Sequence, residues 1–137
     1  MSNRILLPVI IFLVVLAGCS NKVRIGGTVT FEDGQPLVVG SVCFRNDKIT
    51  YTGFLDKQGR YRIGEMKDGD GIPPGTYQVW LTGTEEEKVK LLPDGRAAGF
   101  TRVSHVNRKY TAPESSGLSF EVKNGGTKTF SFMVSKP

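Results

Sequence analysis

Beyond residue 22 the chain alternates. Val23, Ile25, Gly27, Val29 and Phe31 occupy every second position, so one face of this segment is apolar and the other polar. The same period recurs at Gly40, Val42 and Phe44, and at Ile49, Tyr51, Gly53 and Leu55. It continues at Tyr61 and Ile63, at Tyr77, Val79 and Leu81, at Leu118, Phe120 and Val122, and at Phe130, Phe132 and Val134. Turn chemistry separates these runs: Asp33-Gly34-Gln35-Pro36, Asp56-Lys57-Gln58-Gly59, the Gly/Pro loop from Asp68 to Gly75, and Asn124-Gly125-Gly126. Seven one-sided segments with short connections predict an all-β fold, a seven-stranded antiparallel β-sandwich in a single domain over 23–137.

One segment departs from the pattern. Between Gly83 and His105, Thr84 is followed three residues later by Glu87, which is capping-box spacing. A helical turn or two is expected there, ended by Pro93-Asp94-Gly95, with an irregular remainder to His105. An excursion of this length in a compact domain is either functional or an exposed, variable loop.

The start of the chain reads differently. Arg4 precedes the uncharged run Ile5–Leu16, whose length fits the roughly 7–15 apolar residues of a secretory signal and falls short of a membrane span. Leu16-Ala17-Gly18-Cys19 then resembles the lipobox of bacterial lipoproteins. That resemblance implies a signal peptide over 1–18, cleavage between Gly18 and Cys19, and a lipid on Cys19 as the membrane attachment. Ser20 in place of Asp implies sorting to an outer membrane where the organism has one. Residues 19–22 form the tether, short enough to hold the domain within roughly 15 Å of the headgroups.

A second resemblance spans about 23–82. Gly27-Thr28-Val29, Gly34, Pro36-Leu37, Gly40, Val42, Asp56, Gly59, Tyr61, Pro74-Gly75-Thr76-Tyr77 and Val79 follow the pattern of the carboxypeptidase regulatory-like domain, a transthyretin-like (prealbumin-like) sandwich. Lys109-Tyr110, Ser116-Gly117-Leu118 and Gly125 are similar to the C-terminal part of small bacterial lipoproteins that carry this domain. The resemblance implies a Greek-key, immunoglobulin-like arrangement and no reaction. Transthyretin-like hydrolases use several His, an Arg and a C-terminal Tyr-Arg-Gly-Ser, whereas this chain has one His and ends Met133-Val134-Ser135-Lys136-Pro137.

Composition narrows the chemistry. Two Cys and one His exclude a Cys/His zinc cluster and a disulfide framework. No cofactor or metal is expected: Asp68-Gly69-Asp70-Gly71 lacks the further acidic ligands of a calcium loop. The net charge of +5 is interspersed with acids along the sequence and forms no nucleic-acid stripe, so no nucleic-acid partner is expected. His105 has no placed catalytic partner in the sequence, and Cys43 points away from Val42 and Phe44 as a buried or half-buried thiol. Trp80 lies out of phase with Tyr77, Val79 and Leu81, and is either covered by the 83–105 excursion or exposed beside Arg96, Phe100 and Arg102. Two functions remain open. One is a non-enzymatic structural or protein-interaction module of the cell envelope. The other is a glycan or small-molecule binder using Trp80 and the 96–105 segment, with an envelope protein or a cell-wall glycan as the respective partner.

Overall fold

The computed structural model describes residues 21–64 and 69–137. The leader, the cleavage position at Gly18 and Cys19, and Asp68 of the Gly/Pro loop lie outside the described residues. Ten strands are present: β1 (Arg24–Phe31), β2 (Ser41–Arg45), β3 (Thr50–Phe54), β4 (Arg60–Ile63), β5 (Gly75–Thr82), β6 (Glu85–Leu91), β7 (Ala97–Ser104), β8 (Leu118–Val122), β9 (Thr127–Thr129) and β10 (Phe132–Val134). A short 3-10 helix, Arg108–Thr111, is the only helix among the described residues.

Two sheets face each other. One runs β3-β2-β5-β8 and is antiparallel throughout. The other has β1 at its centre, with β4 antiparallel on one side and β9 and β10 in succession on the other. Both β9 and β10 run parallel to β1, which corrects the expectation of an entirely antiparallel sandwich. The last strand returns to the edge of the first from the opposite sheet, so it enters at the same end. Asn124-Gly125-Gly126 accordingly crosses between sheets rather than closing a hairpin, with the Arg24 amide donating to the Gly126 carbonyl. The last strand is interrupted at Phe130 and Ser131. There the Phe130 amide donates to the Gly26 carbonyl, and the Ser131 hydroxyl accepts from the Thr28 amide.

The alternating residues do what their spacing requires. Ile25, Val29, Val42, Phe44, Tyr51, Tyr61, Ile63, Tyr77, Val79, Leu81, Val122 and Val134 are all buried. Phe44 is the hub of the interior. Its ring centroid lies 6.1 Å from Tyr61, Tyr77 and Phe130 and 6.3 Å from Phe120. Tyr61 and Phe130 belong to the β1 sheet side, Tyr77 and Phe120 to the other, so one side chain joins both layers. Phe120 and Phe130 stack at 4.5 Å across the interface. The buried Tyr61 hydroxyl donates to the Phe130 carbonyl, and burial pushes its pKa up, which keeps the proton on the donor. Tyr77 enters inward from the Pro73-Pro74-Gly75 loop, its hydroxyl 2.6 Å from the Pro73 carbonyl. Every core residue among the described residues lies between Val23 and Val134.

Close backbone approaches fix two glycines. A Cβ at Gly27 would collide with the Phe130 carbonyl, and one at Gly53 with the Arg62 carbonyl where β3 passes β4.

The larger excursion is a second correction. No helical turn forms at Thr84–Glu87. Residues 85–104 make a two-stranded β-hairpin, β6 paired antiparallel with β7.

Truncating the hub should be costly. Phe44→Ala is expected to lose about 3–5 kcal/mol of unfolding free energy, and Gly27→Ala about 1–3 kcal/mol through overpacking, both read from urea denaturation.

The turn carboxylates carry a pH dependence. The Arg60 amide, with help from the Gln58 amide and the Arg60 guanidinium, holds Asp56 below its ordinary pKa of 3.8. The Gln35 amide, with Lys136, does the same for Asp33. A folded pKa below the unfolded one gives a contribution present above 3.8 and lost as pH falls through the folded value. In thermal melts Asp56→Asn is expected to lower the midpoint at neutral pH, with the difference from wild type shrinking as the pH falls below that window.

Candidate functional site

Strand direction sorts the loops onto two poles. The chain enters at one pole with Val23, where the turns at 46–49, 69–74 and 123–126 also lie. The opposite pole carries the turns at 32–36 and 56–59, the hairpin and the exit from β10.

The hairpin follows from its sequence once both strands are considered together. Leu92-Pro93-Asp94-Gly95 turns the chain: the Gly95 amide donates to the Leu92 carbonyl, the Leu92 amide to the Arg96 carbonyl, and the Arg96 amide to Asp94 Oδ1. Gly95 sits at φ +84°, the left-handed region that glycine enters at little cost. Val89, Phe100, Thr101 and Val103 supply the β-branched and aromatic side chains that favour extended structure. Pairing of Val89 with Phe100 and of Leu91 with Ala97, across a bulge, places these four side chains on one face. That face is open to solvent. Val89, Leu91 and Phe100 are 52%, 63% and 72% exposed. The proximal part of the same face is charged, with Glu87 and Arg102 paired at 3.5 Å. Lys88, Lys90 and Glu86 occupy the other side.

The hairpin's root is fixed while its body stands free. Thr84 and Val106, on either side of it, are buried. The His105 amide donates to the Thr84 carbonyl and the Asn107 amide to the Ser135 carbonyl, tying the root to the end of β10. His105 Nε2 lies 3.3 Å from Glu86 Oε2 without hydrogen-bond geometry. The neighbouring Ser104 hydroxyl is turned to the Val106 carbonyl at 2.7 Å. This Ser, His and Glu therefore do not form a nucleophile–base relay.

The four candidate contact residues fall into two groups. Phe100 and Arg102 share the apolar-to-charged face of the hairpin. Arg96 sits at its turn, its Nε 2.6 Å from Asp94 Oδ2. Trp80 is elsewhere, on the outer face of the β3-β2-β5-β8 sheet and directly across from Cys43. It is half-buried, and the Arg45 guanidinium stands over its ring at 5.4 Å. Among the described residues no hydrogen bond, ion pair or cation–π contact joins Trp80 to 85–104. Gln78 Oε1 and Glu114 Oε1 hold the Arg45 guanidinium at 3.1 and 3.3 Å. Cys43 is buried beside Trp80, its Sγ 3.7 Å from Thr52 Oγ1 and 3.6 Å from Thr82 Oγ1.

Arg45 also borders an open groove of about 810 Å³ at the entry pole, lined by Asn46, Asp47, Lys48, Gly75, Thr76 and Gln78. Among the described residues no group of three or more His, Cys, Asp or Glu side chains is placed to hold a metal ion. No helix among them is long and apolar enough to cross a membrane.

Sequence reasoning missed Val89 and Leu91, which complete the apolar face around Phe100. The signal was the Pro-Asp-Gly turn flanked by alternating residues, which the capping-box reading of Thr84 and Glu87 displaced.

No protein-family model matches the chain, and no curated protein matches its sequence. Among solved structures it is similar to the Bacillus anthracis TIE protein, at 13% identity and a TM-score of 0.49. It is also similar to BcpA, the major pilin subunit of Bacillus cereus, at 14% and 0.45, and to a 9R-lipoxygenase from Cyanothece, at 17% and 0.34. Each alignment covers 85% of this chain but only 17%, 31% and 17% of those proteins respectively. The β-sandwich stands on the sheets described above.

The free-standing body of the hairpin has a direct test. Replacing residues 88–101 by Asn-Gly, which closes Glu87 against Arg102, is expected to leave the thermal midpoint within about 4 °C of wild type, the scale of about 1 kcal/mol in a domain of this size.

Proposed function

We propose that this chain is a lipid-anchored, non-enzymatic module of a bacterial cell envelope that presents its β6–β7 hairpin to a protein partner. The observation that carries the reading is the hairpin itself. A sandwich with a closed core projects one long, exposed, apolar-faced element from a rigid root, at the pole opposite the chain's entry. A contiguous exposed apolar face rimmed by charge is the usual chemistry of a protein contact. The anchor rests on the leader and lipobox sequence around Cys19. With an acyl group there, the entry pole lies against the membrane and the hairpin points away from it.

Among the described residues, the groups the sequence offered for catalysis are not assembled into a relay. His105 Nε2 lies near Glu86 without a hydrogen bond, Ser104 is turned to backbone, and Cys43 lies against two threonines. Against the glycan reading, Trp80 and the hairpin residues belong to different sheets, and the Arg45 guanidinium stands over the indole ring.

A photocrosslinking residue at Phe100 or Val89, introduced in the native cell, is expected to capture one common protein. The same residue at Phe54, also exposed but on the sheet face, is expected not to. Capture that survives replacement of 88–101 by Asn-Gly would overturn the hairpin's role. In the same cells Cys19→Ser is expected to abolish labelling by a fatty-acid analogue, and unchanged labelling would overturn the anchor.

A further inference from the structure

The hairpin has edges as well as a face. Among the described residues β6 and β7 pair only with each other, so both strands are edges. The His105 amide donates to the Thr84 carbonyl, which sets the phase of the ladder. Glu86 and Lys88 therefore bond across to β7, while Glu85, Glu87, Val89 and Leu91 direct their backbone N–H and C=O groups outward. On β7 the outward row is broken by the bulge at Ala98 and Gly99, where Gly99 takes φ +118°. The unbroken edge is β6, and each of its residues is exposed.

Charge says what that edge fits. β6 reads Glu85-Glu86-Glu87-Lys88-Val89-Lys90-Leu91, acidic over its root half and basic beyond it. A second copy laid antiparallel reverses that order, whereas a parallel one sets like charge against like. Two-fold symmetry keeps residues of one face opposite one another, so the pairing is centred on a residue rather than between two. With Lys88 at the axis, Glu86 of each copy stands opposite Lys90 of the other, and the outward groups of Glu85 and Glu87 meet those of Leu91 and Val89. Centring on Glu87 leaves Leu91 unpaired, and centring on Val89 sets Lys88 against Lys90. Past the overlap, the half-exposed Leu92 of the second copy comes level with Thr84, which borders an open groove of about 250 Å³ with Leu81, Thr82, Gly83 and Thr111.

We propose that β6 is a self-association edge: two copies of this chain pair antiparallel through it into a continuous sheet, β7-β6-β6-β7, about a two-fold axis at Lys88. The proposal deepens the hairpin's contact role and rests on the hairpin standing free, but it uses the edge and leaves the face open. Backbone pairing supplies the attraction, and the Glu86–Lys90 contacts set direction and register. The two apolar faces come to lie on the same side of the joined sheet, with Val89 of each copy diagonal to Val89 of the other. The surface left for a different protein is thereby doubled.

Cysteines placed along the hairpin read the register in the full chain, expressed in cells and oxidised with copper phenanthroline. The unsubstituted chain, which keeps Cys19 and Cys43, is the baseline. Lys88→Cys sets two thiols opposite each other at a non-hydrogen-bonded position, where Cα atoms lie about 4.5 Å apart and a disulfide can form. It is expected to give a product of twice the chain's mass on a non-reducing gel. Glu86→Cys, on the same side of the strand, keeps its two thiols about 13 Å apart along the strand and is expected not to. No product above baseline at Lys88→Cys would overturn the pairing, as would equal yields at the two positions. A higher yield at Thr101→Cys would overturn the choice of β6 over β7. In the Lys88→Cys chain, Glu86→Lys is expected to cut the dimer yield at least about fivefold, and adding Lys90→Glu to restore it; a loss without that rescue would overturn the register. All the substituted side chains are exposed and outside the core, so the variants test pairing and not folding. An absent Lys88 crosslink would leave capture of a different protein at Phe100 standing. A Lys88 crosslink without such capture would remove that partner and leave the pairing standing.

Discussion

Phe44 sits where four other rings converge, two from each sheet, and the closure of the sandwich depends on that convergence. Strand pairing alone would leave two one-sided sheets, each with an apolar face in water. The ring cluster couples them, with Tyr61 and Phe130 meeting Tyr77 and Phe120 around a fully buried centre. Aromatic contacts of this kind add about 0.5–1.5 kcal/mol each beyond area burial, and they fix relative position as well as energy. The neighbouring backbone is shaped to them. Gly27 has no Cβ because the Phe130 carbonyl occupies the space, and the Tyr61 hydroxyl satisfies that same carbonyl.

A rigid core makes the two poles distinct. The hairpin contributes almost nothing to the interior, so its sequence is free to serve contact rather than stability. Its root is tied by Thr84, His105 and Asn107, which sets the direction in which it projects. The entry pole is shaped differently, by short turns that carry lysines. One sandwich therefore displays an apolar-faced projection at one end and short polar turns at the other, separated by the length of its strands.

Much of the sandwich was legible in the sequence, because a half-buried strand writes its geometry into alternate positions. Val79 and Leu81 inside and Gln78 and Trp80 outside follow from phase alone. Strand direction was not legible: nothing local in Phe130–Val134 says that it lies parallel to β1, since that is decided by which sheet the preceding turn crosses to. The hairpin was misread because Thr84-Glu85-Glu86-Glu87 satisfies a helix-start pattern. The competing signal lay in a turn several residues on and in a second strand that only pairing reveals. Of the candidate contact residues, Phe100 and Arg102 were recognisable as neighbours through their period-2 spacing. The capping of Trp80 by Arg45 arises from residues far apart in sequence that only sheet register brings together.

The parallel pairing of the first and last strands has a mechanical consequence. The chain enters β1 at one pole and leaves β10 at the other, so tension applied between its two ends runs along these neighbouring strands in opposite senses. Their ladder, Val29 to Phe31 against Phe132 to Val134, is then loaded in shear, with its bonds strained together rather than peeled in turn. Such a patch resists pulling far better than a hairpin opened from its end, so the domain is built to bear load along the axis joining its two poles.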